Sequence, residues 1–168
     1  MKIVVGSVVK GFELKEAIKA HLLAQGHTVL DVGCPDKSQF CKFPAVGQRI
    51  AEALTTGSAD LAVSCCGSGT GACISAGKFQ GVCAVSCESE KTARLARVVN
   101  DANCLCLGED VVSPDLACRM VDAFVSARFQ DAPSVPEAVR AFWSEARAEL
   151  MARGPASTSR DLEYLKTP

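Results

Sequence analysis

The chain has 168 residues, of which 48% are apolar and 22% are charged, and its formal net charge is −1. This length predicts one domain with a substantial core, and the balanced charge gives no reason to expect nucleic acid or an anionic membrane as a partner. We expect a cytoplasmic protein, because the apolar runs are shorter than a membrane span requires and the N-terminus lacks the features of a signal peptide.

Short β-branched runs alternate with helical patterns along the first part of the chain. The predicted order is a strand over 2–6, a helix over 12–23, a strand over 28–32, a loop over 34–43 and a helix that begins at Pro44. A third strand over 60–65 leads into a glycine-rich turn and a short helix that continues to Lys78.

The same alternation continues in the second part. A strand over 82–86, a helix over 88–99 with Ala93, Leu95 and Ala96 towards the core, a strand over 103–107 and a helix over 114–129 follow in turn. This regular order predicts an α/β protein: a three-layer αβα sandwich with a five-stranded parallel, Rossmann-like sheet. Binding sites in such sheets gather at the carboxyl ends of the strands.

The C-terminal part follows a different pattern. Residues 131–136 form a proline-broken link, and residues 136–153 predict a helix that carries Phe142 and Trp143. This helix packs either on its own domain or on a second subunit. We therefore divide the chain into an α/β domain over 1–130, a helical extension over 131–153 and a flexible tail over 154–168.

The ten cysteines allow three interpretations. A disulfide framework suits short secreted chains, and a zinc site requires paired spacings that Cys65–Cys66 and Cys104–Cys106 match poorly. We expect most of the cysteines to be small buried residues in a reducing compartment, and we expect no metal.

The turn that follows the third strand carries the candidate chemistry. It reads Cys-Gly-Ser-Gly-Thr-Gly over 66–71, and its glycines allow a sharp bend and a close approach to a ligand. The amides that begin the next helix point at that ligand. A thiolate beside a helix N-terminus is stabilised by those amides, so Cys66 predicts a base next to an oxyanion hole. Such a pair can remove a proton adjacent to a carbonyl.

Three stretches resemble the type B ribose-5-phosphate isomerases and their galactose-6-phosphate relatives. They are 1–7 with 11–16, 66–71 with 74–76 and Lys78, and 100–108. The resemblance covers the chain from Met1 to about Phe129 in order. It implies a homodimer or homotetramer with active sites shared between subunits, and no organic cofactor.

The resemblance also implies roles for individual residues. The cysteine that matches Cys66 moves the proton, the amides of the turn hold the enediolate oxygen, and the residue that matches Asn100 reaches the substrate from a neighbouring subunit. Our candidate catalytic residues are Cys66, Ser68 and Thr70. Our candidate oxyanion and substrate contacts are Gly67, Gly69, Gly71, Ser7, Val8, Val9, Lys10, Phe43, Cys87, Glu88 and Asn100.

Several of these positions depart from the family pattern. The family has an acid and a histidine where this chain has Val8 and Val9, and a tyrosine where it has Phe43. The His-Asp pair that follows the fourth strand in the family is Cys87–Glu88 here.

The residues that open the sugar ring and bind phosphate in the family also differ. The ring-opening histidine falls at Val99, a phosphate-binding arginine falls at Asp110, and residues 131–137 replace an arginine-rich tail. Each lost charged hydrogen bond to phosphate costs about 1.5–3 kcal/mol. We therefore expect a substrate other than ribose 5-phosphate.

Three functional hypotheses follow. The first is an isomerase or epimerase that keeps Cys66 and acts on a different sugar or sugar phosphate, with Lys10, Ser68 and Glu88 as rebuilt contacts. The second is a non-catalytic subunit, or one that needs a related second chain. The third is a redox or metal protein that uses Cys65, Cys66 and Cys87.

Overall fold

The computed structural model describes residues 1–152, and these form five strands and six helices in the predicted order. The strands are β1 (Lys2–Ser7), β2 (Thr28–Asp31), β3 (Leu61–Cys66), β4 (Ala84–Ser86) and β5 (Cys104–Gly108). The helices are α1 (Phe12–Ala24), α2 (Phe43–Thr55), α3 (Thr70–Ala76), α4 (Glu90–Asn100), α5 (Pro114–Ser126) and α6 (Glu137–Ala152). The predicted tail over 154–168 lies outside the described residues.

The five strands form one parallel sheet in the order β2-β1-β3-β5-β4. The fully buried strands β3 and β5 alternate their side chains between the two faces of the sheet. Val63 and Leu105 pack under α1, α4 and α5, whereas Ala62 and Cys106 pack under α2 and α3. The three-layer αβα prediction is therefore confirmed.

The connections at the carboxyl edge create a crevice beside β1 and β3. The chain leaves β1 towards α1 on one face of the sheet, and it leaves β3 towards α3 on the other face. Neighbouring loops that diverge in this way leave a gap at the end of the sheet, which is the usual ligand position in doubly wound folds.

Several predicted bounds are longer than the elements themselves: α3 ends at Ala76, α5 ends at Ser126 and β4 begins at Ala84. Two further details of the sequence prediction are corrected. Leu95 was expected in the core, but it is 40% exposed, and Val98 occupies the buried position on the inner face of α4. The helix predicted to begin at Glu88 begins at Glu90, because the hydroxyl of Ser89 accepts the N–H of Thr92 and caps the helix. Glu88 therefore precedes the helix.

Helix α6 lies against α4 of its own subunit. Arg147 Nε is 2.5 Å from Asp101 Oδ2, and the Arg147 guanidinium lies 5.8 Å from the centre of the Phe129 ring. The helix has no fully buried residue, and Phe142 is 53% exposed. Helix α6 therefore packs on its own domain, the first of the two predicted options, and apolar side chains remain on its outer side.

Among residues 1–152, no helix combines the length and the apolar character needed to cross a bilayer.

Candidate active site

The turn after β3 directs a backbone amide at a thiol. Cys66 is the last residue of β3 and is 7% exposed, and the N–H of Gly69 donates to its Sγ over 3.1 Å. Gly69 has φ 81°, a conformation that side chains rarely adopt. A Cβ at Gly69 would also lie 3.0 Å from Ser86 Oγ and 3.1 Å from the amide nitrogen of Gly108. Glycine is therefore required here for conformation and for space.

The loops after β1 and β5 press directly against this turn. A Cβ at Gly11 would lie 2.8 Å from Cys66 Cα, and one at Gly108 would lie 2.6 Å from the carbonyl carbon of Ser68. Glu109 N–H donates to the carbonyl of Cys66 over 2.9 Å, and Asp110 N–H donates to the carbonyl of Gly67 over 3.0 Å. These contacts fix the backbone of the thiol and of the residue after it.

Two hydroxyl groups lie on the outer side of the turn. Ser68 Oγ and Thr70 Oγ1 are 2.7 Å apart, and both residues are exposed. Phe43 begins α2 nearby, with its ring 4.0 Å from the position of a Cβ at Gly71. The structure thus brings the three candidate catalytic residues and Phe43 to one place.

The loop after β1 places apolar and charged side chains at the same edge. Val8 and Val9 are half-buried, and Val8 packs against the core cluster that contains Cys66. Lys10 Nζ lies 2.7 Å from Asp110 Oδ1 and 3.9 Å from Glu109 Oε1. The hydrogen bond with Asp110 raises the pKa of Lys10, which therefore stays protonated.

The neighbouring cysteines differ from Cys66 in their surroundings. Burial raises the pKa of Cys65, whose side chain faces the α1, α4 and α5 layer. Burial likewise raises the pKa of Cys87, which belongs to the same buried cluster. Since Cys66 faces the α2 and α3 layer, the structure does not bring the Cys87 thiol to it. All ten cysteines are free.

The remaining candidate residues are spread more widely. The hydroxyl of Ser7 is fully buried and has no hydrogen-bond partner among residues 1–152. Glu88 is exposed at the carboxyl edge. Asn100 ends α4, which runs back from β4, so it lies at the amino edge of the sheet and away from Cys66 of the same subunit.

Two features of this edge were not found from the sequence. The Ser86 hydroxyl lies beside Gly69, and the only sequence signal for it is its place at the end of β4. Lys15 is 1% exposed and donates to Asp31 Oδ2 over 2.7 Å and to the carbonyl of Cys34 over 3.0 Å. Lys15 stands at a core position in the periodicity of α1. A lysine at such a position was the available sequence signal for a buried ion pair.

The described residues present no cluster of three or more His, Cys, Asp or Glu side chains suited to a metal ion. The arrangement instead combines a thiol, a turn of backbone amides and two linked hydroxyls. The amides at the start of α3 have no intrahelical partners: that of Gly69 donates to Cys66 Sγ and that of Thr70 donates to Ser68 Oγ over 3.4 Å. An oxyanion that enters can compete for these amides. A thiol base beside such a group can catalyse proton transfer next to a carbonyl.

The chain is similar to known sugar isomerases. The family model described as Ribose/Galactose Isomerase matches residues 3–140. A 4-deoxy-4-sulfo-D-erythrose isomerase of Clostridium sp. (strain MSTE9) is 37% identical over 131 residues, which cover 78% of this chain and 82% of that protein. Ribose-5-phosphate isomerase B of Escherichia coli is 38% identical over 129 residues, which cover 77% of this chain and 86% of that protein.

The fold is also that of a solved relative. Ribose-5-phosphate isomerase B of Clostridium thermocellum superposes with a TM-score of 0.81 at 34% identity, and the match covers 90% of this chain and 95% of that one.

Proposed function

The chain belongs to the ribose/galactose isomerase family, and from that premise we propose that Cys66 moves a proton between two adjacent carbons of an open-chain sugar, converting an aldose into a ketose. The observation that supports this most strongly is the hydrogen bond from the Gly69 amide to Cys66 Sγ. This bond places the thiol next to the amides that begin α3, at the crevice beside β1 and β3.

The reaction balances without any other reactant. The Cys66 thiolate removes the proton from C2 of the aldose, and the electron pair forms the C1–C2 double bond while O1 becomes an oxyanion. The amides of the turn 67–71 stabilise that enediolate oxygen. The hydroxyl proton of O2 then moves to O1, and the thiol returns its proton to C1. The product carries its carbonyl at C2.

The linked hydroxyls of Ser68 and Thr70 suit the transfer between O1 and O2. Each hydroxyl donates one hydrogen bond and accepts others, so a pair 2.7 Å apart can take a proton from one oxygen and give one to the other. The Phe43 ring lies on the α2 side of the turn, 4.0 Å from the position of a Cβ at Gly71.

The proposed substrate is a four-carbon sugar whose C4 bears a substituent in place of a free hydroxyl. Such a sugar cannot close a five-membered ring through O4, so it needs no acid to open that ring. Both histidines lie at the amino edge of the sheet: His21 pairs with Asp122 over 2.7 Å, and His27 lies beside Met1. The name of the similar 4-deoxy-4-sulfo-D-erythrose isomerase supports a substrate of this size.

The test is to follow aldose–ketose conversion by NMR for four-carbon sugars substituted at C4 and for ribose 5-phosphate. We expect conversion of a four-carbon sugar, at least tenfold slower conversion of ribose 5-phosphate, and loss of about 10²-fold or more in Cys66→Ala. Cys118→Ala, on the outer part of α5, is the matched control and should retain activity. A protein inactive on every sugar would favour a subunit that needs a related second chain.

We also propose that two copies of the chain share each site. Asn100 lies at the opposite edge of the sheet from Cys66 within one subunit. If it contacts substrate, it must therefore do so in the site of another copy.

A further inference from the structure

One ion pair lies at the mouth of the candidate site. The ammonium of Lys10 is 2.7 Å from Asp110 and 3.9 Å from Glu109, and both Lys10 and Asp110 are about 60% exposed. The pair lies across the backbone of Gly67, since a Cβ there would meet Lys10 Cγ at 3.2 Å and Asp110 Oδ2 at 3.4 Å. Because Gly67 follows Cys66 directly, the pair is within reach of the far end of a short substrate bound at the thiol.

The charges around this point are unequal. The turns that follow β1, β3, β4 and β5 contain one cation, Lys10, and three carboxylates, Glu88, Glu109 and Asp110, and the longer loop after β2 adds Asp36, Lys37 and Lys42. Lys10, the cation beside Gly67, is already paired with Asp110 and Glu109. An anion that enters must therefore share Lys10 with Asp110, and it is repelled by the carboxylates in proportion to its own charge.

We propose that the Lys10–Asp110 pair determines specificity by admitting substrates whose far end carries at most one negative charge, such as a methyl ether or a sulfonate, in preference to a phosphate. This inference rests on the proposed isomerase function and adds the class of substrate to it.

The physical basis is the difference in charge between these groups. A phosphate monoester carries about −1.5 to −2 at pH 7, whereas a sulfonate carries a single charge and a methyl ether none. A free ammonium can donate to any of them, but here each added negative charge meets Asp110 and Glu109 at close range. For exposed groups we expect a discrimination of about tenfold per unit of charge, reduced by salt.

Three four-carbon sugars that differ only at C4 test whether the charge of the far end determines the rate of reaction. We would measure kcat/KM for 4-O-methyl-erythrose, 4-deoxy-4-sulfo-erythrose and erythrose 4-phosphate, none of which can close a ring through O4, at pH 7.5 in low salt. The wild-type protein should use the uncharged sugar about tenfold or more better than the phosphate, and the sulfonate about three- to tenfold better than the phosphate. Asp110→Asn should raise the ratio of phosphate to uncharged sugar about tenfold, and Lys10→Met should lower the ratio of sulfonate to uncharged sugar.

The matched control is Glu52→Gln, the same loss of charge on the exposed part of α2 and far from the pair. It should leave all three ratios unchanged. A wild-type preference for the phosphate, or ratios in Asp110→Asn equal to those of the wild type, would overturn the proposal while leaving the isomerase function intact.

Binding gives the same information without turnover. In Cys66→Ser, calorimetry with the three corresponding ketoses should show weaker binding of the phosphate by about tenfold, and Asp110→Asn in that background should remove the difference. Equal or tighter binding of the phosphate, or no binding of any of the three, would contradict the proposal even if the protein proved not to be an isomerase.

Discussion

Cys66 lies just before α3 and Cys73 lies within it, and their thiols have different partners. Cys66 accepts an amide from the turn before the helix. Cys73 lies on α3, where hydrogen bonding with Cys106, assisted by a bond to the backbone of Ser86 and opposed by partial burial, lowers its pKa to about 7. A reagent that inactivates the protein could therefore react at either thiol.

We predict that Cys73 is alkylated readily near neutral pH. Its rate of reaction with iodoacetamide should rise through an apparent pKa of about 7, because the thiolate is the reactive form. Cys118 is the control, since burial raises its pKa. Peptide mass spectrometry after short exposures from pH 6 to 9 measures both rates. Faster labelling of Cys118 than of Cys73 at pH 7 would contradict the prediction.

Gly69 allows a matched test of the turn itself. Gly69 and Gly57 have similar positive φ values, 81° and 74°, but only Gly69 has neighbours within 4 Å of an added Cβ. Gly57→Ala should cost about 1 kcal/mol of unfolding free energy, from backbone strain alone. Gly69→Ala should cost more and should also reduce isomerase activity, because the amide moves away from Cys66. Equal losses of unfolding free energy in the two variants, measured by urea unfolding, would contradict a role for the close contacts around Gly69.

At the scale of elements, a buried cation joins α1 to β2. Lys15 is 1% exposed and pairs with Asp31, which Lys19 also contacts over 2.9 Å. Burial tends to raise the pKa of Asp31, but the hydrogen bonds from the two lysines and from the Gly33 amide outweigh it, so the net pKa lies below 3.8. The carboxylate therefore stabilises the fold above its unfolded pKa, and that contribution is lost as the pH falls through the folded value.

We predict that Lys15→Met lowers the free energy of unfolding by about 1.5–3 kcal/mol, because it removes a buried charged hydrogen bond to Asp31, which keeps Lys19 as a partner. Lys19→Met, which removes a half-exposed lysine from the same carboxylate, should cost less than about 1 kcal/mol. Urea unfolding at pH 7 measures both. The wild-type protein should also lose stability below pH 4 more steeply than Asp31→Asn, and parallel pH profiles would contradict that assignment.

The order of elements could be predicted because each strand and helix has a local signal. Beta-branched runs ending at glycine indicated the strands, and the glycines of 66–71 indicated a sharp turn beside Cys66. Helix α4 shows the limit, since its periodicity placed Leu95 inward and the packed helix exposes it. Small rotations of a helix on the sheet decide such positions, and they depend on the neighbouring helices.

The site was predictable to a smaller extent. Cys66, Ser68 and Thr70 are adjacent in sequence, so their proximity followed from the turn. The pairing of Lys10 with Asp110 joins residues 100 positions apart and depends on the β1-β3-β5 order of the sheet. Local patterns do not contain that information.

At the scale of the whole molecule, the positions of Cys66 and Asn100 lead to a test of shared sites. Cys66→Ala and Asn100→Ala should each have little activity alone. Mixed by unfolding and refolding together, they should recover roughly a quarter of wild-type activity, because half of the dimers are mixed and one of their two sites is complete. Refolding each variant alone is the control. No recovery in dimers shown to be mixed would contradict the sharing of sites.

The central claim is that Cys66 carries a proton between carbon atoms, and exchange with solvent measures this directly. The protein would be incubated in D₂O with a four-carbon ketose and with its aldose, and deuterium at C1 and C2 followed by NMR. We predict that the wild-type protein introduces deuterium at the carbon that receives the proton, and that Cys66→Ser, with its turn intact, does so at least 10²-fold more slowly. Exchange at the wild-type rate in Cys66→Ser, or isomerisation by hydride transfer without exchange in any sugar, would contradict it.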